Sequence, residues 1–393
     1  MSNPAPDLGL RRELPERVTR LAWILLILGV VLYGAGYLLD AKRAAFNNLV
    51  GFLFLASVAG GAIFLIALEY LAGAVWSVPM RRAIEFLAAL TLVVPLLAVP
   101  LLFHLHDLFH WTHGEAVAAE KVLAGKAPYL DVDFFIIRFA AVFLVWDFFY
   151  FLFVRNSAKQ DSTRDPKLTT NNVRLAAVFM PVFAITVTLT VVDWAMSLEP
   201  NWYSTILGVY YFSGTVLAAL SAATYAIIKF HENGYLPNLR RDHFYSLGAL
   251  LFAFINFWAY IAFSQFLLIW YANLPEETFW FIKRWKEGWE YVSILLIIVH
   301  FVVPYFALLT QDSKMDTKRL KLMSIWILFS HLLDLYWLVM PTYGEGIPFG
   351  WMEIGFPILL VGLALVVLSY KVKRNNMIPV GDPKLERGLS FHL

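Results

Sequence analysis

Acidic and imidazole side chains lie within stretches of the sequence that are otherwise apolar, and these residues carry the clearest chemistry. They are Glu69, Asp147, Asp193, His300, His331 and Asp334. An ionised carboxylate in hydrocarbon costs several kcal/mol unless it faces protein, water or a partner, so each is a candidate functional residue. Histidine titrates near neutrality, and burial moves the pKa of a carboxyl group toward neutrality. The set therefore suits stepwise proton transfer.

Helical spacing places further polar groups beside these residues. His331 and Asp334 are three residues apart, which predicts a carboxylate that orients an imidazole on one helix face. Asn256 and Tyr260 are four apart and form another polar stripe. For amide and hydroxyl groups, hydrogen bonds that hold membrane helices together are the main alternative. His300 and His331 could also flank a haem iron, although Asp334 competes as the partner of His331.

The remaining histidines and the absence of cysteine limit the cofactors that the chain can hold. His104, His106, His110 and His113 crowd one loop, but their spacing does not place them on one helix face, so we predict no metal site. Without cysteine, the chain cannot attach a cofactor covalently through a thiol or ligate an iron–sulfur cluster through thiolates. Any redox chemistry must use another cofactor.

The elements that position these groups are predicted to be membrane helices. The 393 residues are 60% hydrophobic and 15% charged, well below the roughly 25% charged residues of soluble domains. Apolar stretches of about twenty residues, long enough to span a bilayer, occur ten times. They are 20–39, 49–75, 83–103, 134–154, 173–197, 204–228, 244–272, 287–309, 320–341 and 353–371. Pro95 and Pro100 interrupt the third stretch, which membrane helices tolerate when neighbouring groups satisfy the backbone.

The basic residues predict how these spans are oriented. With ten spans, Lys and Arg number 22 on the side that carries both termini and 7 on the other side. The positive-inside rule therefore predicts cytoplasmic N- and C-termini. A net charge of +2 gives no basis for nucleic-acid binding. Outside the spans, we expect a short helix at Glu115–Leu123, and contact surfaces or mobile ends at 155–172 and in the tail, 372–393.

Three motifs carry a resemblance to a known family. They are Asp193-Trp194-x-Met196-Ser197-Leu198-Glu199-Pro200-x-Trp202-Tyr203-Ser204-Thr205, His331-x-x-Asp334-x-Tyr336-Trp337, and Tyr129-Leu130 followed by Phe134-Phe135-x-x-Arg138. With them the chain resembles the smaller polysulfide-reductase-type (NrfD-like) membrane subunit of bacterial alternative complex III, a quinol:electron-acceptor oxidoreductase. The resemblance covers nearly the whole chain, and the motif that begins at Asp193 is its most specific part.

The resemblance implies an architecture and a set of partners. It implies two four-helix bundles, 49–197 and 204–341, flanked by a peripheral first helix, 20–39, and a last helix, 353–371. It also implies a multi-pass protein of the bacterial inner membrane that works with a larger related membrane anchor, an iron–sulfur protein and haem-c proteins. Because those partners would carry the electrons, the chain is not expected to be catalytic in isolation. A quinone such as menaquinone is the implied small-molecule ligand.

We therefore hypothesise that the chain scaffolds a respiratory or photosynthetic quinol:cytochrome c oxidoreductase, or one with an equivalent acceptor, and conducts protons. Protons would enter near Glu69 and Asp147, pass His300, His331 and Asp334, and leave near Asp193 and Glu199. Asn256 and Tyr260 belong to the same predicted pathway. A quinone site is a further hypothesis, at His104, Asp107, Asp193 and Tyr203. A secondary transporter with parallel repeats, or a purely structural anchor, remains an alternative.

Overall fold

The computed structural model describes residues 11–393. Within this range all regular secondary structure is helical, apart from an isolated bridge between Arg11 and Asn376. Ten helices of this part of the chain are long and apolar enough to cross a membrane. They are α1 (Glu16–Leu39), α2 (Ala41–Ala72), α3 (Val78–Phe103), α4 (Val132–Thr163), α5 (Pro166–Leu198), α6 (Leu207–Glu232), α7 (Arg241–Ala272), α8 (Trp289–Ala307), α9 (Thr317–Thr342) and α10 (Trp351–Arg374). The predicted all-α, multi-pass membrane fold is confirmed.

Several helices run beyond the spans that hydropathy predicts. α2 begins at Ala41 instead of 49, because the Asp40 side chain accepts a hydrogen bond from the Arg43 backbone and caps the helix. The segment 155–172, predicted as polar surface, is almost entirely the end of α4 and the start of α5. Hydropathy detects only the apolar middle of a helix, whereas caps decide where the helix ends.

The third helix is interrupted near its middle, as its prolines predict. A 3-10 turn over Ala89–Leu92 separates the α-helical pieces Arg81–Ala88 and Val94–Phe103. Pro95 has no N–H to donate to the preceding turn, so the regular hydrogen-bond pattern cannot continue there. The interrupted helix remains long enough to cross the membrane.

Two helices form the centre of the molecule. Of the apolar segments of α2 and α6, 89% and 83% are buried, against 17% for α1. Gly61 permits the close approach of α2 to α6, since a Cβ atom there would lie 2.5 Å from the carbonyl oxygen of Thr215. Helices of each predicted bundle pack on one another, but the extensive α2–α6 contact joins the bundles into one body. α1 and α10 pack together along their length at the side of α2.

The bundle has two ends, which we name by the termini. The terminal face carries Arg11, the first residue that the structure describes, together with the C-terminal end and the connection 233–240. The distal face carries 104–131, 199–206, 273–288 and 343–350. On the distal face, the single predicted helix at Glu115–Leu123 is instead two short helices, Gly114–Ala119 and Lys121–Lys126, separated at Glu120.

The C-terminal segment is packed instead of mobile. Residues 375–391, here called the C-terminal strap, lie across the terminal face, with the side chains of Met377, Ile378 and Leu385 buried. The tail was expected to be a contact surface or a mobile end, and the structure packs it on the bundle through apolar residues of the strap and the buried Asp382. Its position closes part of the terminal face over α3.

Candidate functional site

Asp334 on α9 is almost completely buried, at 2% exposure, and joins three helices. The Tyr210 hydroxyl on α6 donates a hydrogen bond to Asp334 Oδ1, and Trp258 Nε1 on α7 donates to Oδ2 at 3.1 Å. Sequence reasoning identified the acid but neither donor, because both come from helices distant in the sequence. The two donors fix the position of the carboxyl group.

The His300 imidazole on α8 lies against this carboxyl group. Its ring stacks on the Trp258 ring with centroids 3.9 Å apart, and its Nδ1 lies 3.9 Å from Asp334 Oδ2. That distance exceeds a hydrogen bond. Neither ring nitrogen of His300 has a hydrogen-bond partner among the described residues. The site therefore combines a fixed acid with an adjacent imidazole that has spare hydrogen-bonding capacity.

His331 connects the same region to α2. Its Nε2 lies 2.9 Å from the Ser57 hydroxyl oxygen, while Nδ1 has no partner in the described part of the chain. The predicted pairing of His331 with Asp334 is wrong, since the two side chains bond to different helices. The side chains of residues three apart on a helix point about 60° apart, and the packing of neighbouring helices decides which group each side chain meets. The imidazole that faces Asp334 is His300, whose ring centroid is 6.3 Å from that of His331.

A π-helical turn over Ile298–Val302 holds His300 in place. The Val303 N–H donates to the Ile298 carbonyl instead of the Val299 carbonyl. Val299 O is therefore free to accept hydrogen bonds from α9, from Trp326 Nε1 at 2.7 Å and Ser330 Oγ at 3.0 Å. Pro304, four residues after His300, is the sequence signal for such a disruption, because it cannot donate within the helix.

Buried hydroxyl groups continue from this cluster along α6 toward the terminal face. Thr215, Ser221 and Thr224 are fully buried, and their hydroxyl oxygens have no hydrogen-bond partner within residues 11–393. From Tyr210 to Thr224 the helix rises about 21 Å. Sequence reasoning did not single out this series, because serine and threonine in membrane helices usually bond to their own backbone or to a neighbouring helix.

A network of buried charges lies where α2, α3 and the strap meet at the terminal face. Arg81 Nη1 donates to Glu69 Oε1 at 3.0 Å, and Arg81 Nη2 donates to Asp382 Oδ2. Glu85 lies 2.6 Å from Arg82 Nη1, which continues the network to α4 through Asp161, 2.7 Å from Arg82 Nη2. Of its members, Glu69 alone was predicted as a site residue.

The network was missed because Arg81 and Arg82 were counted among the basic residues of the loops that set the orientation of the spans. Arg81 and Arg82 are each 1% exposed, and Glu85 is 2% exposed. The signal that could have revealed them is Glu85, four residues after Arg81 and inside an apolar stretch, where an acid requires a partner. Glu69 is thus a member of a charge-paired network and not an isolated acid.

Asp147 on α4 stands apart from the other predicted pathway residues. Its side chain is partly buried, and Oδ1 has no hydrogen-bond partner among the described residues. Glu69, its predicted companion at the start of the pathway, bonds to Arg81. The structure therefore joins neither Asp147 to Glu69 nor Asp147 to the central histidines through a hydrogen bond in the described chain.

Asp193 on α5 forms a buried ion pair near the distal face. Arg138 on α4 donates from Nε to Oδ2 at 2.9 Å and from Nη2 to Oδ1 at 3.0 Å. The Tyr129 hydroxyl donates to Oδ1 at 2.9 Å, and the guanidinium lies 3.9 Å from the Tyr129 ring centroid. Burial and the Asp193 carboxylate raise the pKa of Tyr129, which keeps it a donor. Three residues of the sequence motifs therefore form one structural unit.

Glu199 lies in a different distal contact. Its Oε1 accepts a hydrogen bond from Lys283 Nζ at 2.5 Å. The adjacent Arg284 is fully buried, donates to the carbonyl oxygens of Trp280, Trp337 and Leu338, and stacks over the Trp280 ring at 3.4 Å. Burial lowers the pKa of Arg284 to about 9, so it stays charged at neutral pH. Asp193 and Glu199, predicted as a common exit, bond to separate partners.

No hydrogen bond in the described part of the chain joins the two halves of the predicted quinone cluster, His104 with Asp107 and Asp193 with Tyr203. His104 Nδ1 lies 2.8 Å from Asp107 Oδ2, while Asp193 is enclosed by Arg138 and Tyr129. Tyr203 is 53% exposed beneath Lys126. Motif proximity in the sequence gave no information on these tertiary partners.

Asn256 and Tyr260 lie on α7 outside the hydrogen bonds of Asp334. The Asn256 amide donates to the Phe252 carbonyl of its own helix at 2.7 Å, and Tyr260 is 66% exposed. Both line a cavity beside Trp258. They border the central cluster without bonding to its carboxyl group.

The central histidines do not fit a haem. Trp258 stacks on His300, Ser57 bonds to His331, and the Phe54 ring centroid lies 5.8 Å from that of His331. Packed side chains thus occupy the space that a porphyrin would need. In the distal loop, His110 bonds to Glu120 and His106 to Thr112. Within residues 11–393, no group of three or more His, Asp or Glu side chains is arranged to hold a metal.

No model of a known protein family matches the chain, and no curated protein is significantly similar to it. The resemblance drawn from the sequence motifs therefore stays a prediction.

Proposed function

We propose that the chain is the smaller NrfD-like membrane subunit of a bacterial quinol:electron-acceptor oxidoreductase, where it scaffolds the complex and conducts protons. The observation that supports conduction most directly is a set of buried hydroxyl and imidazole groups between α2, α6, α8 and α9 that have no hydrogen-bond partner among residues 11–393. Such groups are costly in hydrocarbon unless water or a mobile proton completes their hydrogen bonds. A proton pathway needs such groups and can therefore carry their cost in stability, whereas a purely structural anchor has no use for them.

The path starts in the charge network of the terminal face. Glu69, paired with Arg81, lies twelve residues from Ser57 on α2, about 18 Å along the helix axis. The hydroxyl groups of Thr224, Ser221 and Thr215 lie at the heights along α6 that match this interval of α2, although they point to different sides of α6. Hydroxyl groups both donate and accept hydrogen bonds, so they can support a water chain.

The path then crosses the central cluster. A proton that reaches Ser57 and His331 passes to His300 and Asp334, and Tyr210 orients the carboxyl group. From there it leaves toward Glu199 and Lys283 on the distal face. Asp193 takes no part in this version of the pathway, because Arg138 and Tyr129 already satisfy its carboxylate.

Two measurements on the native complex test this proposal. A mildly solubilised complex is expected to contain iron–sulfur and haem-c subunits with the corresponding visible spectrum. In proteoliposomes, His331→Ala and Asp334→Asn are expected to lower the number of protons released per electron, while Ser213→Ala, a buried hydroxyl that bonds to its own helix, serves as the control. An unchanged ratio in assembled variants would leave only a scaffold, and solute uptake by the chain alone would indicate a transporter.

A further inference from the structure

The carboxyl group of Asp147 lies against the interruption of α3. Asp147 is about 22 Å along α4 from the start of that helix at Val132, within its apolar part. Its Oδ1 atom is shielded from the surface, and α4 packs against the 3-10 turn Ala89–Leu92 of α3. An acid at this depth costs several kcal/mol unless a partner compensates its charge.

Thr91 is the residue of the 3-10 turn that lies beside this carboxyl group. Its side chain is fully buried, and its hydroxyl group has no hydrogen-bond partner among residues 11–393. In a regular helix, a threonine hydroxyl commonly donates to the carbonyl group of the preceding turn. Pro95, four residues later, has no N–H to donate to the Thr91 carbonyl oxygen. The interruption therefore leaves two oxygen atoms of Thr91 without their usual helical partners.

Asp147 lacks the partners that the other buried acids have. Arginine pairs with Glu69 and with Asp193, and two hydrogen-bond donors hold Asp334. In the described part of the chain, no basic side chain forms an ion pair with Asp147, and no group donates a hydrogen bond to its Oδ1. The charge of this carboxylate must therefore be compensated by a bound cation or by a proton.

The geometry favours a cation over a proton. A protonated carboxyl group beside a hydroxyl group is expected to bond to it, but no hydrogen bond joins Asp147 and Thr91. Carboxylate, hydroxyl and carbonyl oxygens that lie close together without bonding to one another are the ligands of a hard cation. One carboxylate balances one positive charge. Carbonyl groups at interrupted membrane helices, together with nearby side chains, are also where sodium ions bind.

We infer that Asp147, Thr91 and the carbonyl group at the interruption of α3 bind a sodium ion. Asp147 Oδ1, Thr91 Oγ1 and the Thr91 carbonyl oxygen would be its protein ligands, and water would complete its coordination. Tyr150, one turn further along α4, lies near both Asp147 and Glu85. The site thus adjoins the charge network of the terminal face, from which the ion would enter. It lies outside the proposed proton path and does not depend on the proposed function.

Equilibrium binding of radiolabelled Na⁺ to the purified full-length protein, within its native complex, tests this inference. Unlabelled NaCl is expected to displace the label, whereas choline chloride at the same ionic strength is not. Asp147→Asn removes the charge, and Thr91→Val removes the hydroxyl group at nearly constant volume. We expect each variant to raise Kd about tenfold or more. Thr190→Val, at a buried threonine whose hydroxyl donates to the Thr186 carbonyl at 2.9 Å, is the matched control.

Two results would overturn the site. One is the absence of saturable Na⁺ binding in the wild type, which would mean that a proton compensates Asp147. The other is Na⁺ binding to Asp147→Asn with the affinity and stoichiometry of the wild type, which would place the ion elsewhere in the complex. Thr91→Val decides the question in the same way if Asp147→Asn does not assemble. A change of Kd in Thr190→Val as large as in Thr91→Val would also contradict the assignment.

Discussion

At the scale of single residues, the buried titratable groups of this protein have two different kinds of surroundings. Arg138 and Asp193 enclose each other with a bidentate ion pair and a tyrosine donor. His300 and His331 retain nitrogens without partners in the described chain. The first arrangement is typical of structural cohesion, and the second is what a proton carrier requires. This contrast favours a structural role for Asp193 and is compatible with the conduction that we propose for the histidines.

The Arg138–Asp193 pair gives a direct stability prediction. Asp193→Asn leaves a buried guanidinium without its charge partner and is expected to destabilise the protein by about 3–5 kcal/mol. SDS-induced unfolding of the purified protein measures the change. The double variant Arg138→Leu/Asp193→Leu, which removes both charges, is expected to recover a substantial part of that loss. A wild-type unfolding curve for Asp193→Asn would show that the pair is not stabilising.

The raised pKa of Tyr129 leads to a prediction of how the stability of the unit formed by Tyr129, Arg138 and Asp193 changes at alkaline pH. Burial, followed by the Asp193 charge, raises its pKa above the value of about 10 expected in the unfolded chain. The contribution of Tyr129 to the free energy of unfolding is therefore complete below pH about 10. It declines at higher pH, where the tyrosine of the unfolded chain loses its proton. Tyr129→Phe is expected to make the loss of stability above pH 10 shallower, as measured by unfolding at a series of pH values. Parallel curves for the two proteins would argue against this role.

At the scale of elements, hydropathy predicted the number of helices and the apolar middle of each. It could not predict the ends of α2, α4 and α5, because caps and polar turns decide them. The site was predicted only in part for a similar reason. Asp334, His300 and His331 were identified by their cost in hydrocarbon, whereas their partners depend on which helices meet.

The C-terminal strap is the element that the sequence described least well. Its polar composition suggested a contact surface or a mobile end, whereas Asp382 bonds to Arg81, and Gly381 packs against the α4 backbone. A Cβ atom at Gly381 would lie 1.8 Å from the Gln160 carbonyl oxygen. Gly381→Ala is therefore expected to release the strap, which limited proteolysis of its C-terminal residues would detect. In the control variant Gly344→Ala the added Cβ atom meets open space, so the protease should cleave it at the same rate as the wild type.

At the scale of the whole molecule, the two faces differ in charge and in construction. The terminal face holds the buried charge network and the strap, while short helices and loops cover the distal face. The excess of Lys and Arg predicts that the terminal face is cytoplasmic. The proposed pathway then carries protons outward from the cytoplasm.

The cysteine-free sequence allows a clean test of this orientation. Asn233→Cys places a thiol on the terminal face, and Gly344→Cys places one on the distal face. A membrane-impermeant maleimide added to intact spheroplasts is expected to label only the second variant. Permeabilised cells should show labelling of both. If only Asn233→Cys is labelled in intact spheroplasts, the terminal face lies outside the cytoplasm. The proposed direction of proton transfer would then be the opposite one.

The most direct test of proton conduction through the central cluster is proton flux in proteoliposomes that contain the complex, under an imposed membrane potential. We predict that the wild type and Ser213→Ala acidify or alkalinise the lumen at similar rates, and that Asp334→Asn lowers the rate at least tenfold. The loss follows because asparagine cannot accept and release a proton beside His300. A wild-type flux through correctly assembled Asp334→Asn would contradict the account.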